Sequence, residues 1–433
     1  MESWYNRALH ITPGGAQTLS KRPAGLPANY PRVLDRGDGA WVEDVPGKRY
    51  LDLTAGLACI SLGYKNPIVD YHVETQLKIH GVSFSLPHWR EIEVAERLVK
   101  LIPCAGQIRF VKTGSEACAG AVRMARMAYN HRDRLPENHS SVVIAIGYHG
   151  WHDWYAATRP SCPGVPGILR SLTWPCPYND LHSLKELFRS PGTYPISAVI
   201  LEPTLIDPPH SGYLSDLIHL AHEHGAFVIF DEMVCGFRWA VGGGQEYFEV
   251  TPDLAVFGKG IANGFPLACI VGRAGLMEHA WVVSGTFGGE ALSLAACFGT
   301  LEVFESESVI PHIWAMGKQL QDGLNQIFDN YDLPLRCEGY PVHPVVRGDI
   351  QGNPSDGLAL EALETVFFQE WVSRGVLMHP KGGNIMYAVK KLDIEFALNM
   401  AQAAVEGLLP TWKDGRIREM VLGGPRSPHP LGR

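Results

Sequence analysis

The sequence is missing several features that would place a chain quickly. It has no cysteine framework: nine Cys are scattered over 433 residues without a single C-x-x-C pair. That pattern argues against a disulfide scaffold or a zinc cluster and predicts reduced thiols in a cytoplasmic protein. No apolar run approaches the ~18 residues a membrane-spanning helix requires, and no basic amphipathic stretch suits a membrane surface. Lys and Arg form no block, and the acidic excess behind the net charge of −8 is spread along the chain, so a nucleic-acid partner is not expected. The opening "MESWYNRALHITPGG" lacks the basic region and apolar core of a secretory leader. Internal repeats and low-complexity linkers are also missing. What remains, 46% apolar and 19% charged, is a globular composition, long enough for one large domain and a smaller one.

The middle of the chain alternates short apolar runs with helical patterns, the signature of α/β units. "SVVIAI" (141–146), "SAVILE" (197–202), "AFVIF" (226–230), "LAVFG" (254–258) and "LACIVG" (267–272) read as strands buried on both faces. "IRFVK" reads as another, followed by a helix opening at Ser115. "HWREIEVAERLVKLIP" carries Ile92, Ala95, Leu98, Val99 and Ile102 at helical spacing. "YLSDLIHLAHEHG" is a helix closed by Gly225. Near residue 306 long helical patterns and weak strands take over, predicting a smaller α+β domain. The expected division is 1–60, an N-terminal segment packing with the small domain; 61–305, the large domain; and 306–433, the small domain. The Pro-rich stretch 159–181 has no period and reads either as a lid or as a surface excursion.

Chemistry enters at the ends of the strands. "DLAVFGKGIANGFPLACIVG" holds one basic residue, Lys259, and no other Lys or Arg lies between Arg238 and Arg273. A lysine losing hydration in an apolar pocket becomes a neutral amine able to attack a carbonyl; the plainer alternative is a surface lysine. Asp231 closes the "AFVIF" run, at the strand end where open α/β sheets bind ligands, and could hold a proton on a ring nitrogen or merely cap a helix. Met233 follows two residues later, placed to lie against a ring. Gly114 and Ser115 form a turn into a helix, an anion site suited to a phosphate monoester. Tyr148 lies just past "SVVIAI", where an aromatic can stack on a planar group or pack in the core. His149 and His152, three apart, could suit a metal, but Gly150 between them and the absence of clustered ligands argue against it, and no metal is expected. Together these residues describe a site for pyridoxal 5′-phosphate.

The order of motifs carries a resemblance over nearly the whole chain. "TPGGAQTLSK", "GSEA", "YHGWHD", "SCPGVP", "PYNDL", "LEP", "DEMVCGFR", "PDLAVFGKGIANGFP" and "GTFGGEALSLAA" resemble the class III aminotransferases of fold type I, nearest to glutamate-1-semialdehyde aminomutase and its relatives. The resemblance implies an α/β fold in which a mostly parallel mixed sheet flanked by helices joins a smaller α+β domain. It implies that Lys259 forms the Schiff base and shuttles protons, that Asp231 pairs with the pyridine nitrogen, and that Gly114 and Ser115 hold the phosphate. Tyr148 and Met233 would sandwich the ring, and Glu202 would lie near the ring's 3′-oxygen. Thr286 would reach across a homodimer interface to the partner's phosphate. Four positions depart from the aminomutase pattern: Lys21 in place of an Arg for the substrate carboxylate, Asp207 and Glu290 in place of Asn, and Asn384 in place of Glu. The core is retained and the substrate wall changed. This implies a transaminase moving an amino group from an amino-acid donor to a carbonyl acceptor: a semialdehyde, a cyclic ketone or a keto-sugar of a biosynthetic pathway. The alternatives are the aminomutase itself, a racemase or epimerase on the same cofactor, and a non-catalytic cofactor-binding protein.

Overall fold

A computed structural model describes residues 3–190, 192–204, 206–349 and 357–423. The chain divides into two units, Pro67–Ile310 and the pairing of Met1–Asn66 with Pro311–Arg433.

In the unit Pro67–Ile310 the apolar runs become a seven-stranded sheet. Its strands are β1 (Gln107–Val111), β2 (Val142–Ile146), β3 (Thr173–Pro175), β4 (Ile196–Leu201), β5 (Phe227–Asp231), β6 (Leu254–Phe257) and β7 (Ala268–Gly272), in the spatial order β1-β7-β6-β5-β4-β2-β3. Strands β3, β2, β4, β5 and β6 run parallel, while β7 is antiparallel to both of its neighbours. Every residue of β2, β6 and β7 is buried, as expected of strands covered on both faces.

Among the helices of this unit are α1 (Pro67–Thr75), α2 (Trp89–Leu101), α3 (Gly114–Arg132), α4 (Tyr213–Glu223) and α5 (Ala291–Ser306). Helix α3 lays Ala117, Cys118, Ala121, Met124 and Ala125 into one core cluster with Ile200, Ile229, Val256 and Ile270 of the sheet. Helix α4 ends one residue before His224, and Gly225 takes φ +71°, the left-handed C-cap its sequence announces.

Three local expectations need correcting. Helix α3 does not open at Ser115. Thr113 is the N-cap, and its hydroxyl accepts from the Glu116 amide while the Glu116 carboxylate accepts from the Thr113 amide, a complete capping box. Helix α2 buries Arg90, Val94 and Leu98, and Ile92 is 61% exposed. The buried face is rotated because Arg90 turns inward, donating to Gln76 Oε1 and lying over the rings of Trp89 and Phe298. The stretch 159–181 is not structureless: Gly167–Ser171 forms a 3₁₀ turn and β3 pairs with β2 at the sheet's edge.

The other unit carries a sheet of Leu34–Asp38, Trp41–Asp44, Arg49–Asp52 and Val376–Leu377, and a hairpin of Leu335–Tyr340 with His343–Gly348. Its long helices include Gly357–Ser373 and Lys391–Lys413, locked where the buried Trp371 indole donates to the Ala397 carbonyl at 2.9 Å. Among the described residues, no helix is long and apolar enough to cross a membrane.

Ile229 sits in the core cluster with no exposed surface. Ile229→Ala should therefore cost about 2–5 kcal/mol, as a buried cavity does. A urea-unfolding shift equivalent to less than 1 kcal/mol, on the order of a surface change, would show that β5 is not in the core.

Candidate active site

Strand direction gathers the chemistry on one edge. Strands β2, β4, β5 and β6 are parallel, so Tyr148, Glu202, Asp231 and Lys259, each at or just beyond a strand's C-terminus, emerge on the same side. Strand β7 then reverses. Cys269 pairs with Phe257 of β6, and Ala268 pairs with Val111 of β1. The C-terminal end of β1, and with it Gly114 and Ser115, therefore opens on that edge too.

Asp231 is the most constrained group there, with 2% of its surface exposed. Its Oδ1 accepts from the Met233 amide at 3.1 Å, and its Oδ2 lies 2.8 Å from His149 Nδ1 and 3.3 Å from Cys118 Sγ. The other nitrogen of His149 faces the Ile146 carbonyl at 3.1 Å. The Ile146 carbonyl can only accept, so the ring nitrogen facing it carries a proton. His149 thus bridges that carbonyl and Asp231 Oδ2 in a fully buried pair, which gives the carboxylate a polar partner where water is excluded. Cys118, His149 and Asp231 place three potential ligand atoms within 4.8 Å of one another, the one such grouping found among the described residues. Burial, and next the Asp231 charge, push the Cys118 thiol well above its usual range. It is therefore a protonated donor toward the Asp231 oxygen. The sequence offered His149 as half of a metal pair with His152; the structure makes it the partner of Asp231.

Lys259 follows β6 directly and is partly exposed, with φ +47°, a left-handed backbone that a side chain adopts at a cost. Such strain persists only where the surroundings hold it, and here the turn aims one side chain from the strand end. Met233 packs between this turn and the head of α3. A Cβ added at Gly258 would lie 2.7 Å from Met233 Sδ, and one at Gly114 would lie 2.8 Å from it. A side chain at either glycine would push the Met233 thioether from its place. Glu202 completes the edge. Its Oε2 accepts from the Tyr148 amide at 2.8 Å. Desolvation and then Asp231 push its carboxyl up, against the pull of His149, the Tyr148 amide and Lys259.

Comparison with known proteins decides what this edge is. The class-III aminotransferase family model matches residues 26–403. The chain is a class-III aminotransferase. It is 36% identical to a glutamate-1-semialdehyde 2,1-aminomutase of Haloquadratum walsbyi over 75% of this chain and 73% of that one. It is 29% identical to a 3-aminobutyryl-CoA aminotransferase of Cloacimonas acidaminovorans over 92% and 94%. In fold it resembles the FumI protein of Sphingopyxis sp. MTA144, solved as its pyridoxal-phosphate internal aldimine, with a TM-score of 0.86, 22% identity and coverage of 95% and 96%.

Pyridoxal 5′-phosphate is the cofactor of this aminotransferase, and the residues fit it. Asp231, with donors on both oxygens, is a buried carboxylate that would face a ring nitrogen. The Gly114 and Ser115 amides, in the first turn of α3, have no partner within the helix and can meet a phosphate. The Ser115 hydroxyl accepts from the Trp151 amide at 3.4 Å, tying that turn to the loop after Tyr148.

The expected substrate residues divide between the two units. Glu290 caps α5, accepting from the Leu292 and Ser293 amides, and pairs with Lys112 Nζ at 2.6 Å. Desolvation opposes its charge, but the Lys112 and Ser293 hydrogen bonds hold its carboxyl below the usual range. Those contacts tie β1 to α5 and touch neither Asp231 nor His149. Thr286 is exposed in the turn before Glu290. Asp207 is exposed on the loop after β4. In the other unit, Lys21 is exposed on a short 3₁₀ turn. Asn384 is 4% exposed, with its Oδ1 3.0 Å from His343 Nδ1 and its Nδ2 donating to the Thr54 carbonyl.

His149→Leu should leave buried Asp231 Oδ2 without its nearest nitrogen partner and lower the affinity for pyridoxal 5′-phosphate by at least about tenfold, since breaking a buried pair is costly. Equilibrium dialysis of the folded variant measures this. Wild-type affinity would reduce the pair to a packing contact.

Proposed function

We propose that the enzyme transfers an amino group from an amino-acid donor to a carbonyl acceptor, with Lys259 as the covalent anchor and proton carrier. The observation that carries this reading is the shared sheet edge of Lys259, Asp231, Glu202 and Tyr148. Pyridoxal 5′-phosphate supplies an aldehyde and an electron-accepting ring. Lys259 Nζ would bond to the aldehyde carbon and, once freed by the donor, would take the α-proton as a neutral amine and deliver it to the cofactor's carbon on the far side of the nitrogen, two atoms away. Asp231 Oδ holds the proton at the ring nitrogen. Gly114 and Ser115 hold the phosphate by their amides, Tyr148 and Met233 cover the ring's faces, and Glu202 lies toward the ring oxygen. Borohydride reduction of the holoenzyme should fix the cofactor on Lys259, and Lys259→Ala should lose turnover by several orders of magnitude. A label mapped to another residue sinks the assignment.

A changed substrate wall supports a transaminase over an aminomutase. Lys21 is a point charge where the aminomutases carry a forked guanidinium, and Asn384 spends both side-chain polar atoms on His343 and Thr54. The acceptor then carries its carbonyl in a semialdehyde, a cyclic ketone or a keto-sugar. The similarity to named aminomutases supports the second reading. A half-reaction screen separates the two: amino compounds are added one by one and conversion to the amine form of the cofactor is read by absorbance. A transaminase requires an external donor. Formation of 5-aminolevulinate from glutamate semialdehyde with no donor present would select the aminomutase.

We also propose a homodimer in a reducing, cytoplasmic setting. All nine cysteines are free thiols. The segment before and into α2 leaves Ile79, Leu86 and Ile92 72%, 78% and 61% exposed, apolar side chains that a partner subunit would cover. Thr286, in its exposed turn, would serve the partner's phosphate. Leu86→Asp with Ile92→Asp should convert the dimer to a monomer in light scattering; an unchanged mass would place the interface elsewhere.

A further inference from the structure

Cys118 lies four residues after Gly114 in α3, so it leaves the helix on the face that carries the phosphate-binding turn. It is 1% exposed, and its sulfur reaches the same Asp231 oxygen as His149, at 3.3 Å. The groups that bear electrically on Asp231 are its chain neighbours Glu232 and Cys235 and side chains from four further places. His149 follows β2 and Cys118 sits on α3; Lys259 follows β6, and Glu202, at the end of β4, opposes with like charge. A neighbouring carboxylate makes Asp231 a stronger base; each donor on Oδ2 makes it a weaker one.

We propose that Cys118 is a positioning residue for amino-group transfer: its S–H donates to Asp231 Oδ2 and, with His149, keeps that carboxylate too weak a base to take the proton from the cofactor's ring nitrogen. The proposal rests on Asp231 as the ring-nitrogen partner. No bond is made or broken at sulfur; only the position of one proton between Asp231 and the ring is biased. The thiol stays protonated because burial and the adjacent carboxylate both disfavour a thiolate.

The test uses holoenzyme reconstituted with pyridoxal 5′-phosphate and follows the pH midpoint of the bound cofactor's visible absorption band. A ring that keeps its proton repels a second proton nearby and holds this midpoint low. A ring that yields its proton to Asp231 lets the acid form persist to higher pH. Cys118→Val and Cys118→Ala should therefore raise the midpoint by about half a pH unit, the scale of one neutral hydrogen bond. Cys118→Ser, which keeps a donor, should leave it at the wild-type value. Either apolar variant suffices if the other does not fold. A midpoint unmoved in the apolar variants, or moved as far by serine as by valine, overturns the proposal. Failure of the underlying reading looks different: Asp231→Asn would then leave the wild-type midpoint unchanged.

Discussion

The Asp231–His149 pair is the constraint on which the site depends. A carboxylate with almost no solvent contact is costly unless every lone pair it exposes meets a donor. Here the donors come from separate parts of the chain: the Met233 amide, the ring after β2 and the thiol of α3. The sheet order that sets β4 between β2 and β5 and the packing of α3 across the strands are what bring these groups to one oxygen pair. Burial first, and the Asp231 carboxylate next, push the carboxyl of Glu202 and the thiol of Cys118 toward their protonated forms.

Much of this was readable in the residues, for physical reasons. Strands buried on both faces leave short apolar runs, and those at 142–146, 196–201, 227–231, 254–257 and 268–272 match the sequence pattern within a residue or two. A charged residue ending such a run must lie at the sheet's edge, which made Asp231 and Lys259 conspicuous. The contacts around them were less legible because they join residues far apart in sequence. His149 stood beside Tyr148 in the chain, but nothing local told that its ring would reach Asp231. Cys118 had only its spacing of one helical turn from Gly114 to recommend it. Ile92 misled because Arg90, a residue that usually faces water, found aromatic rings to cover it.

The substrate side shows how single positions can be overread. Glu290 and Asn384 drew notice as departures from a family pattern, yet each is occupied with local structure, one in a helix cap and an ion pair, the other in bridging a loop to a histidine. Substitution at such places alters the support of a site as well as its specificity. The catalytic edge, by contrast, draws its residues from strand ends, whose positions are fixed by the sheet and not by the loops beyond it.

The single reversed strand has a consequence for how the protein is made. Because β7 is wedged between β1 and β6, Val111 finds its neighbour only when Ala268 has been synthesised. The phosphate-binding turn and the lysine that share an edge in the finished sheet thus cannot meet on the ribosome until nearly all of this unit has emerged. Late closure of this kind slows folding and leaves an open strand margin waiting, and the turn and the lysine come to face one space only after this sheet has completed its longest-range pairing.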